Sequence, residues 1–138
     1  QLGKVREGIA ARKRNFDYLL RGLVDLDDVL GFVEHGVEDE PSWFGFPIAV
    51  RIAAPFTRGD LVQRLESLHI GTRMLFAGNL TRQPAYAGLR YKTVGNLANS
   101  DFVMNQVFWI GIWPGLTEEM LAFVVQSIRD FVLRKGTR

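Results

Sequence analysis

The amino-acid sequence predicts an α+β domain in which a small sheet of three or four strands, mostly antiparallel, has helices packed on one face. Helical and strand-like patterns alternate along the chain in the order helix, strand, helix, strand, loop, short helix, strand, helix. The 138 residues, 47% of them apolar and 23% charged, are enough for one domain with a substantial core. Because such a layer covers one side of its sheet, the other face is left for something else to cover.

The composition excludes several kinds of chemistry within this chain. Without cysteine there can be no disulfide, no thiolate metal or cluster ligand and no thiol nucleophile. The two histidines, His35 and His69, do not have the spacing of metal ligands, and a net charge of +2 gives little sign of nucleic-acid binding. No apolar run approaches the roughly 20 residues of a membrane helix. Since neither a signal peptide nor a methionine opens the chain, we expect a cytoplasmic protein that was processed or a domain cut from a longer one.

The first third of the chain predicts one helix and one short strand. Apolar residues recur at three- and four-residue spacing from Leu2 to Leu23, and Gly22 is expected to cap the end of this helix. The segment from Val24 to Pro41 is acidic and irregular, with a possible strand at 29–33. Its carboxylates lack the order of a calcium-binding loop, so a solvated loop is favoured over a cation site.

The middle of the chain predicts a strand followed by a helix. Apolar residues alternate from Phe46 to Ile52, with Pro47 at the edge of the strand. Thr57 and Asp60 have the spacing of a capping box, so a helix is expected to begin here and to end at Gly71.

The last third predicts two strands separated by a loop. Residues 72–76 alternate as a strand, and residues 77–86 have no regular period. Ser100 is expected to cap a short helix over 101–105, and residues 107–112 form an apolar strand expected to be buried on both faces.

The final helix is predicted to start at Thr117, with acidic residues in its first turn and basic residues near its end. Aromatic residues are numerous for so small a domain, and they allow two interpretations, ordinary core or a face turned towards a partner domain or subunit. They are Trp43, Phe44, Phe46, Phe108, Trp109 and Trp113.

The segment from Arg73 to Tyr86 is the one site-like group of residues. It contains two guanidinium groups, an Asn, a Gln, two aromatic rings and the flexible Gly78. Arginines beside amide side chains can hold an anion such as a phosphate, and aromatic rings can cover a sugar or stack on a base. The pattern equally allows Arg73 and Arg82 to pair with surface carboxylates, so the residues alone leave both possibilities open.

A resemblance to a known family favours binding of an anion or sugar over pairing with surface carboxylates. The segment Gly71–Tyr86, GTRMLFAGNLTRQPAY, resembles a signature of the nucleotide-sugar 3-dehydratases, a branch of the DegT/StrS sugar aminotransferase family with the aspartate-aminotransferase fold. The opening helix through Asn15, the segment Ser42–Pro47 and the segment 103–111 are similar to that family in order and spacing. The similarity covers nearly the whole chain; the motif Arg73–Tyr86 is quite specific to the dehydratase branch, whereas the opening helix is typical of the family at large.

The resemblance implies that residues 1–138 are a single C-terminal small domain of a longer enzyme in deoxysugar and lipopolysaccharide biosynthesis. That enzyme would remove the C3 hydroxyl of a CDP-linked 4-keto-6-deoxyhexose with pyridoxamine or pyridoxal 5′-phosphate, held mainly by a large upstream domain. A histidine of that domain would replace the usual lysine, and neither His35 nor His69 matches it. The resemblance further implies a homodimer and, in some members, a [2Fe–2S] cluster in the large domain with a flavin and iron–sulfur reductase as partner. The isolated chain is expected to be inactive.

By the same resemblance the small domain closes over the cofactor cleft and contacts the nucleotide sugar. We expect Arg73 to bind an anion or a sugar hydroxyl, Asn79 and Arg82 to bind the phosphates or hexose, Phe76 and Trp43 to give apolar cover, and Ser42 to form a hydrogen bond. No catalytic residue and no metal ligand is assigned in this chain. Two alternatives stay open, the C-terminal domain of a nucleotide-sugar aminotransferase and a non-catalytic ferredoxin-like binding module.

Overall fold

A computed structural model describes residues 2–34, 36 and 39–136, so His35 lies outside the described residues. The helices are α1 (Val5–Leu23), α2 (Arg58–Ser67), α3 (Ala98–Gln106) and α4 (Glu118–Gly136). The strands are β1 (Leu30–Gly31), β2 (Gly45–Val50), β3 (Thr72–Met74) and β4 (Val107–Gly111). Short 3₁₀ turns occupy Leu2–Lys4, Val24–Leu26, Leu80–Arg82 and Pro84–Tyr86.

The four strands form one antiparallel sheet in the order β1-β2-β4-β3. The predicted α+β class with a mostly antiparallel sheet is confirmed. The two central strands, β2 and β4, pair along most of their length, from Gly45 opposite Gly111 to Ala49 opposite Val107. β3 continues the sheet beyond β4, so that Pro47, Trp109 and Arg73 lie in one row across three strands.

The hydrophobic core lies between one face of this sheet and helices α1, α2 and α4. Alternate residues of the central strands point into it, because side chains along a strand alternate between the two faces. Burying each of these side chains stabilises the fold by roughly 1.5–3 kcal/mol. The buried set includes Phe46, Ile48, Val50, Phe108 and Ile110 from the sheet and Phe16, Leu19, Leu23, Leu61, Leu65, Leu121, Ile128 and Phe131 from the helices.

Two helix starts follow the local sequence. The backbone N–H of Asp60 donates to Thr57 Oγ1 at 3.1 Å, and the backbone N–H of Thr57 donates to Asp60 Oδ2 at 2.8 Å. This reciprocal pair confirms the predicted capping box of α2. At α4 the N–H of Met120 donates to Thr117 Oγ1 at 3.2 Å, which confirms the predicted cap.

The predicted ends of the first two helices are wrong. Gly22 does not cap α1, which continues to Leu23; a Cβ at Gly22 would lie 2.8 Å from a methyl of Val125, so this glycine allows α1 and α4 to approach closely. Helix α2 ends at Ser67 and not at Gly71. His69 takes the left-handed conformation, with φ of 60°, that usually belongs to glycine after a helix end.

Other predicted boundaries also shift. Ser100 lies inside α3, whose first N–H, at Ala98, donates to the side chain of Asn96 at 3.1 Å. The strand expected at 29–33 is limited to β1, and the one expected at 72–76 ends at Met74. β4 is not buried on both faces throughout, since Trp109 is half-buried and its last residue is exposed.

Pro47 lies in the middle of the central strand β2 and not at its edge. Proline has no N–H to donate, and this position tolerates it: among the described residues, β1 pairs with β2 only at Ala49 and Val50, so no strand residue pairs with the outer side of Pro47. Across the described part of the chain, no helix combines the length and the apolar character needed to cross a membrane.

Candidate functional site

The chain leaves the outer strand β3 through a loop that belongs to the 71–86 motif; we call residues 75–86 the signature loop. The strand ends where Phe76 adopts the left-handed conformation with φ of 51°, and the N–H of Phe76 donates to Met74 O at 2.7 Å. A left-handed phenylalanine is uncommon. Its side chain is 80% exposed, so the turn presents a large aromatic ring to solvent.

Asn79 is the buried residue of the signature loop, with 3% of its surface exposed. Its Oδ1 accepts hydrogen bonds from the N–H of Thr81 at 3.0 Å and from the hydroxyl of Thr81 at 2.7 Å. Its Nδ2 donates to Asp101 Oδ1 of α3 at 2.7 Å. The Asn79 amide therefore shapes the 3₁₀ turn after it and joins this turn to α3.

Arg82 binds the same carboxylate with two hydrogen bonds. Its Nε donates to Asp101 Oδ1 at 3.2 Å and one terminal nitrogen donates to Asp101 Oδ2 at 3.0 Å. The hydrogen bond from Arg82, followed by that from Asn79, holds the pKa of Asp101 below its ordinary value. The side chain of Arg82 is still 61% exposed, so the ion pair leaves most of the side chain accessible.

One contact with α3 and one within the loop further define the conformation of the signature loop. Gly78 is left-handed, with φ of 61°, and a Cβ there would lie 2.4 Å from Cβ of Met104. Only glycine fits this approach without displacing α3. Within the loop, Gln83 Nε2 donates to Ala77 O at 2.8 Å, which closes the turn around Gly78.

Arg73 lies on β3, on the face of the sheet opposite the core. Its neighbour Thr72 points into the core, and Arg73 itself is exposed beside Trp109 of β4. The ring of Trp109 contacts Phe44, with 5.0 Å between centroids. One terminal nitrogen of Arg73 donates to the carbonyl of Thr72 at 2.7 Å, which leaves other N–H groups of the fork for a second partner.

Trp43 and Ser42 lie in the segment before β2. The Trp43 ring stacks on Phe16 of α1 with 4.1 Å between centroids and 6° between planes, and its carbonyl accepts from Arg12 at 3.3 Å. Ser42 is exposed. The structure thus brings Asn79 and Arg82 together on one carboxylate and places Arg73 and Phe76 at the end of β3, whereas Trp43 packs on a core residue. The substrate contacts expected of all six residues stay predictions.

Asp101 is the residue of this region that the sequence reasoning missed. It stands 22 residues after Asn79 and 19 after Arg82, and its sequence context is that of any acid in the first turn of a helix. No local pattern links it to the motif. Its role follows only from the placement of α3 beside the signature loop.

The aromatic residues divide between the core and the surface. Phe46 and Phe108 are fully buried, whereas Phe44 and Trp113 are each 68% exposed. Beside the face that carries Arg73 lies an open groove of about 850 Å³. Its lining includes Pro47, Ala49, Leu75, Phe102 and Val103.

The described residues do not make a site for pyridoxal phosphate. Such a site needs an amine or imidazole enclosed beside a phosphate cradle. Lys4, Lys13, Lys92 and His69 are exposed, and Lys135 lies over the ring of Phe131 on α4. Among residues 2–34, 36 and 39–136 there is also no group of three or more His, Asp or Glu side chains placed to hold a metal ion.

Comparison with known proteins defines the class. Residues 1–129 match the DegT/DnrJ/EryC1/StrS aminotransferase family, and the chain belongs to that family. The chain is 48% identical over 131 residues to lipopolysaccharide biosynthesis protein RfbH of Salmonella typhimurium, covering 95% of this chain and 30% of that protein. It is 46% identical over 136 residues to dTDP-4-dehydro-2,6-dideoxy-D-glucose 3-dehydratase of Saccharopolyspora spinosa, covering 99% of this chain and 29% of that protein. The chain therefore spans about 30% of the length of these relatives.

Solved structures share the fold. Escherichia coli GDP-4-keto-6-deoxy-D-mannose-3-dehydratase with bound hydrated PLP superposes with a TM-score of 0.81 at 23% identity, over 93% of this chain and 33% of that one. Streptomyces venezuelae DesV in complex with a ketimine intermediate superposes with a TM-score of 0.81 at 22% identity, over 95% of this chain and 33% of that one. Both structural similarities are evidence for a shared fold only.

Proposed function

We propose that the full-length polypeptide containing this sequence is a nucleotide-sugar 3-dehydratase and that residues 1–138 form its small, substrate-covering domain. The observation that carries the proposal is the 46% identity, over 99% of this chain, to a protein named as a 3-dehydratase. The similarity to RfbH, named for lipopolysaccharide biosynthesis, supports a role in making a deoxysugar. Membership of the family favours a domain of an enzyme over a free-standing binding module.

The geometry of the signature loop supports a role in covering substrate. The loop directs its one buried amide inwards, at Asn79, and turns the ring of Phe76 outwards. Arg73 and Arg82 add two partly exposed guanidinium groups, which suit the diphosphate of a nucleotide sugar. In the proposed enzyme these residues bind and orient the substrate and exclude water from it.

The proposed reaction removes the C3 hydroxyl of a 4-keto-6-deoxyhexose. Pyridoxamine 5′-phosphate would supply the electron sink, and it would be bound by residues outside 1–138, since the described residues do not form its site. A [2Fe–2S] cluster would likewise need ligands from outside this cysteine-free sequence. A homodimer and, for a cluster-bearing enzyme, a reductase partner belong to the same proposal.

Incubation of the full-length protein with CDP-4-keto-6-deoxyglucose and pyridoxamine 5′-phosphate tests the proposal. We expect mass spectrometry to show that the hexose loses one oxygen atom, because hydrogen replaces its C3 hydroxyl, while pyridoxamine 5′-phosphate is converted to pyridoxal 5′-phosphate and ammonia. We expect no turnover by residues 1–138 alone. A product that instead gains an amino group when glutamate is supplied would make the protein an aminotransferase. Turnover by the isolated chain would contradict the assignment of the chemistry to the rest of the polypeptide.

A further inference from the structure

We propose that Asp101 is a positioning residue that holds the signature loop in the conformation that meets the substrate. The inference rests on the proposed function for the identity of the substrate, but the anchoring itself depends only on contacts within this chain. Asp101 is assigned no contact of its own with the substrate. It acts through Asn79 and Arg82, which it holds by three hydrogen bonds.

The first argument is the way the loop is attached to the domain. The structure describes every residue of 75–86, and Asn79 is the only one of them that is buried. Apolar side chains that would ordinarily anchor a loop point outwards instead, since Phe76 and Leu80 are both exposed. Burial of large apolar side chains therefore does little to hold the loop. Three hydrogen bonds to the Asp101 carboxylate link it to α3, beside the close approach of Gly78 to Met104 and a 4.0 Å contact of Gln83 Nε2 with the Met104 sulfur.

The second argument is that Asp101 stands on a fixed support. Helix α3 continues directly into the central strand β4, without a connecting residue. Arg58 of α2 donates to the carbonyl of Met104 at 2.6 Å and to that of Val107 at 3.3 Å, which ties the end of α3 to the rest of the domain. A helix held at this end gives Asp101 a defined place from which to position the loop.

The third argument is the nature of the residues that depend on Asp101. Arg82 would be free to swing without its two-point contact, because its side chain is long and mostly exposed. The turn at Asn79 lies three residues from Phe76 and joins it through Gly78. Removing the carboxylate should therefore disorder both the guanidinium and the exposed ring, while the sheet and core stay intact.

Asp101→Asn in the full-length protein is the main test. The change removes the charge that Arg82 pairs with, so we expect KM for the nucleotide sugar to rise about tenfold with little change in kcat. Asp101→Glu keeps a carboxylate and should recover most of the loss. Asp130→Asn, which alters a half-buried aspartate bonded to Gln126 on α4, is the matched control and should leave both constants unchanged.

Hydrogen exchange without substrate gives an independent measurement. In Asp101→Asn the amides of Thr81, Arg82 and Gln83 should exchange about tenfold faster, while amides of β4 keep their protection. Unchanged KM, or unchanged exchange in the loop, would overturn the positioning role. A wild-type protein that converts no nucleotide sugar would contradict the proposed function instead, and loop exchange would still decide whether Asp101 anchors the loop.

Discussion

The fold determines the position of the Arg73 side chain, but that side chain contributes little to the stability of the fold. Its neighbour Thr72 is buried and binds Glu66 through both its N–H and its hydroxyl. Strand alternation then turns Arg73 to the other face, where it is exposed beside Trp109. Within the part of the chain that the structure describes, the one hydrogen bond of this guanidinium is to the adjacent carbonyl, so we expect Arg73 to add little to stability and to be available to a ligand.

Replacing Arg73 by Ala should therefore affect turnover and not folding. We expect kcat/KM of the full-length protein for the nucleotide sugar to fall by about tenfold or more, since a charged hydrogen-bond donor to substrate is lost. Arg134→Ala, at the exposed end of α4, is the matched control. Unchanged kinetics in Arg73→Ala would remove Arg73 from the substrate site.

Glu66 should make the stability of the domain depend on pH. Hydrogen bonds from the hydroxyl and N–H of Thr72 lower the pKa of Glu66, so the folded state binds a proton less readily than the unfolded state. The stabilisation is present above the unfolded value of about 4.3 and is lost as pH falls through the lower folded value. Glu66→Gln should reduce stability at neutral pH and flatten its fall in acid.

Urea unfolding of the dilute 138-residue chain at several pH values measures this effect. Glu40→Gln, an exposed glutamate in the segment before β2, serves as the control and should keep the wild-type profile. An identical pH profile in Glu66→Gln would show that the contact with Thr72 contributes nothing to stability.

At the scale of elements, the contact between α1 and α4 depends on a glycine, which has no side chain to separate the two helices. Gly22 lies in the last turn of α1, where either methyl of Val125 would be within 2.9 Å of an added Cβ. Valine has few rotamers and cannot move aside cheaply. The helices therefore approach more closely than any larger residue would allow, although glycine is a poor residue for a helix interior.

Gly22→Ala should destabilise the domain by about 1–3 kcal/mol through overpacking. Gly8→Ala is the matched control in the same helix: nothing lies near a Cβ at Gly8, so the change should stabilise by about 1 kcal/mol. Adding Val125→Ala to Gly22→Ala should recover part of the loss. Urea unfolding measures all three, and a stabilised Gly22→Ala would contradict the close approach.

The elements that the sequence predicts well are those determined by near neighbours. The capping box at Thr57 needs only a residue three positions away, and so does the cap at Thr117. The helix ends that the sequence predicts wrongly are determined by packing between elements. Gly22 has the identity of a helix cap, but it serves the contact with Val125, a hundred residues further on, and the left-handed position after α2 belongs to His69.

The candidate site shows the same limit. The motif 71–86 can be recognised from the sequence alone. Asp101, the residue that holds it through Asn79, lies on a different element, α3. Sequence reasoning weighed Arg82 between an anion contact and a surface ion pair, and the structure shows the ion pair while leaving most of the side chain exposed.

At the scale of the whole molecule, the fold leaves large apolar residues exposed on several sides. Phe44, Phe76 and Trp113 are among them, and the groove beside Pro47 and Ala49 adds apolar surface. Exposed apolar surface of this extent is typical of a protein part that packs against another. This agrees with a chain that spans about 30% of the length of its relatives.

The 138-residue chain on its own should therefore self-associate. We expect light scattering to show a mass that increases with protein concentration, because bare apolar surface is buried when copies meet. The full-length protein, in which this surface would be covered, should show a fixed mass over the same range. A monodisperse monomer of the isolated chain would contradict the prediction.

The bond network of Arg129 has a consequence for synthesis on the ribosome. From α4 it donates to the carbonyl of Gly22 at 2.9 Å and to both carboxylate oxygens of Asp25 at 2.7 and 2.8 Å, so the last helix completes the end of the first. All residues between α1 and α4 are translated before Arg129 can form these hydrogen bonds. Phe16 can meet Trp43 and Phe46 earlier, but the contact of α1 with α4 cannot form until more than a hundred further residues have emerged. Completion of this fold therefore comes late in translation, and the surface of α1 that α4 covers stays accessible to chaperones until then.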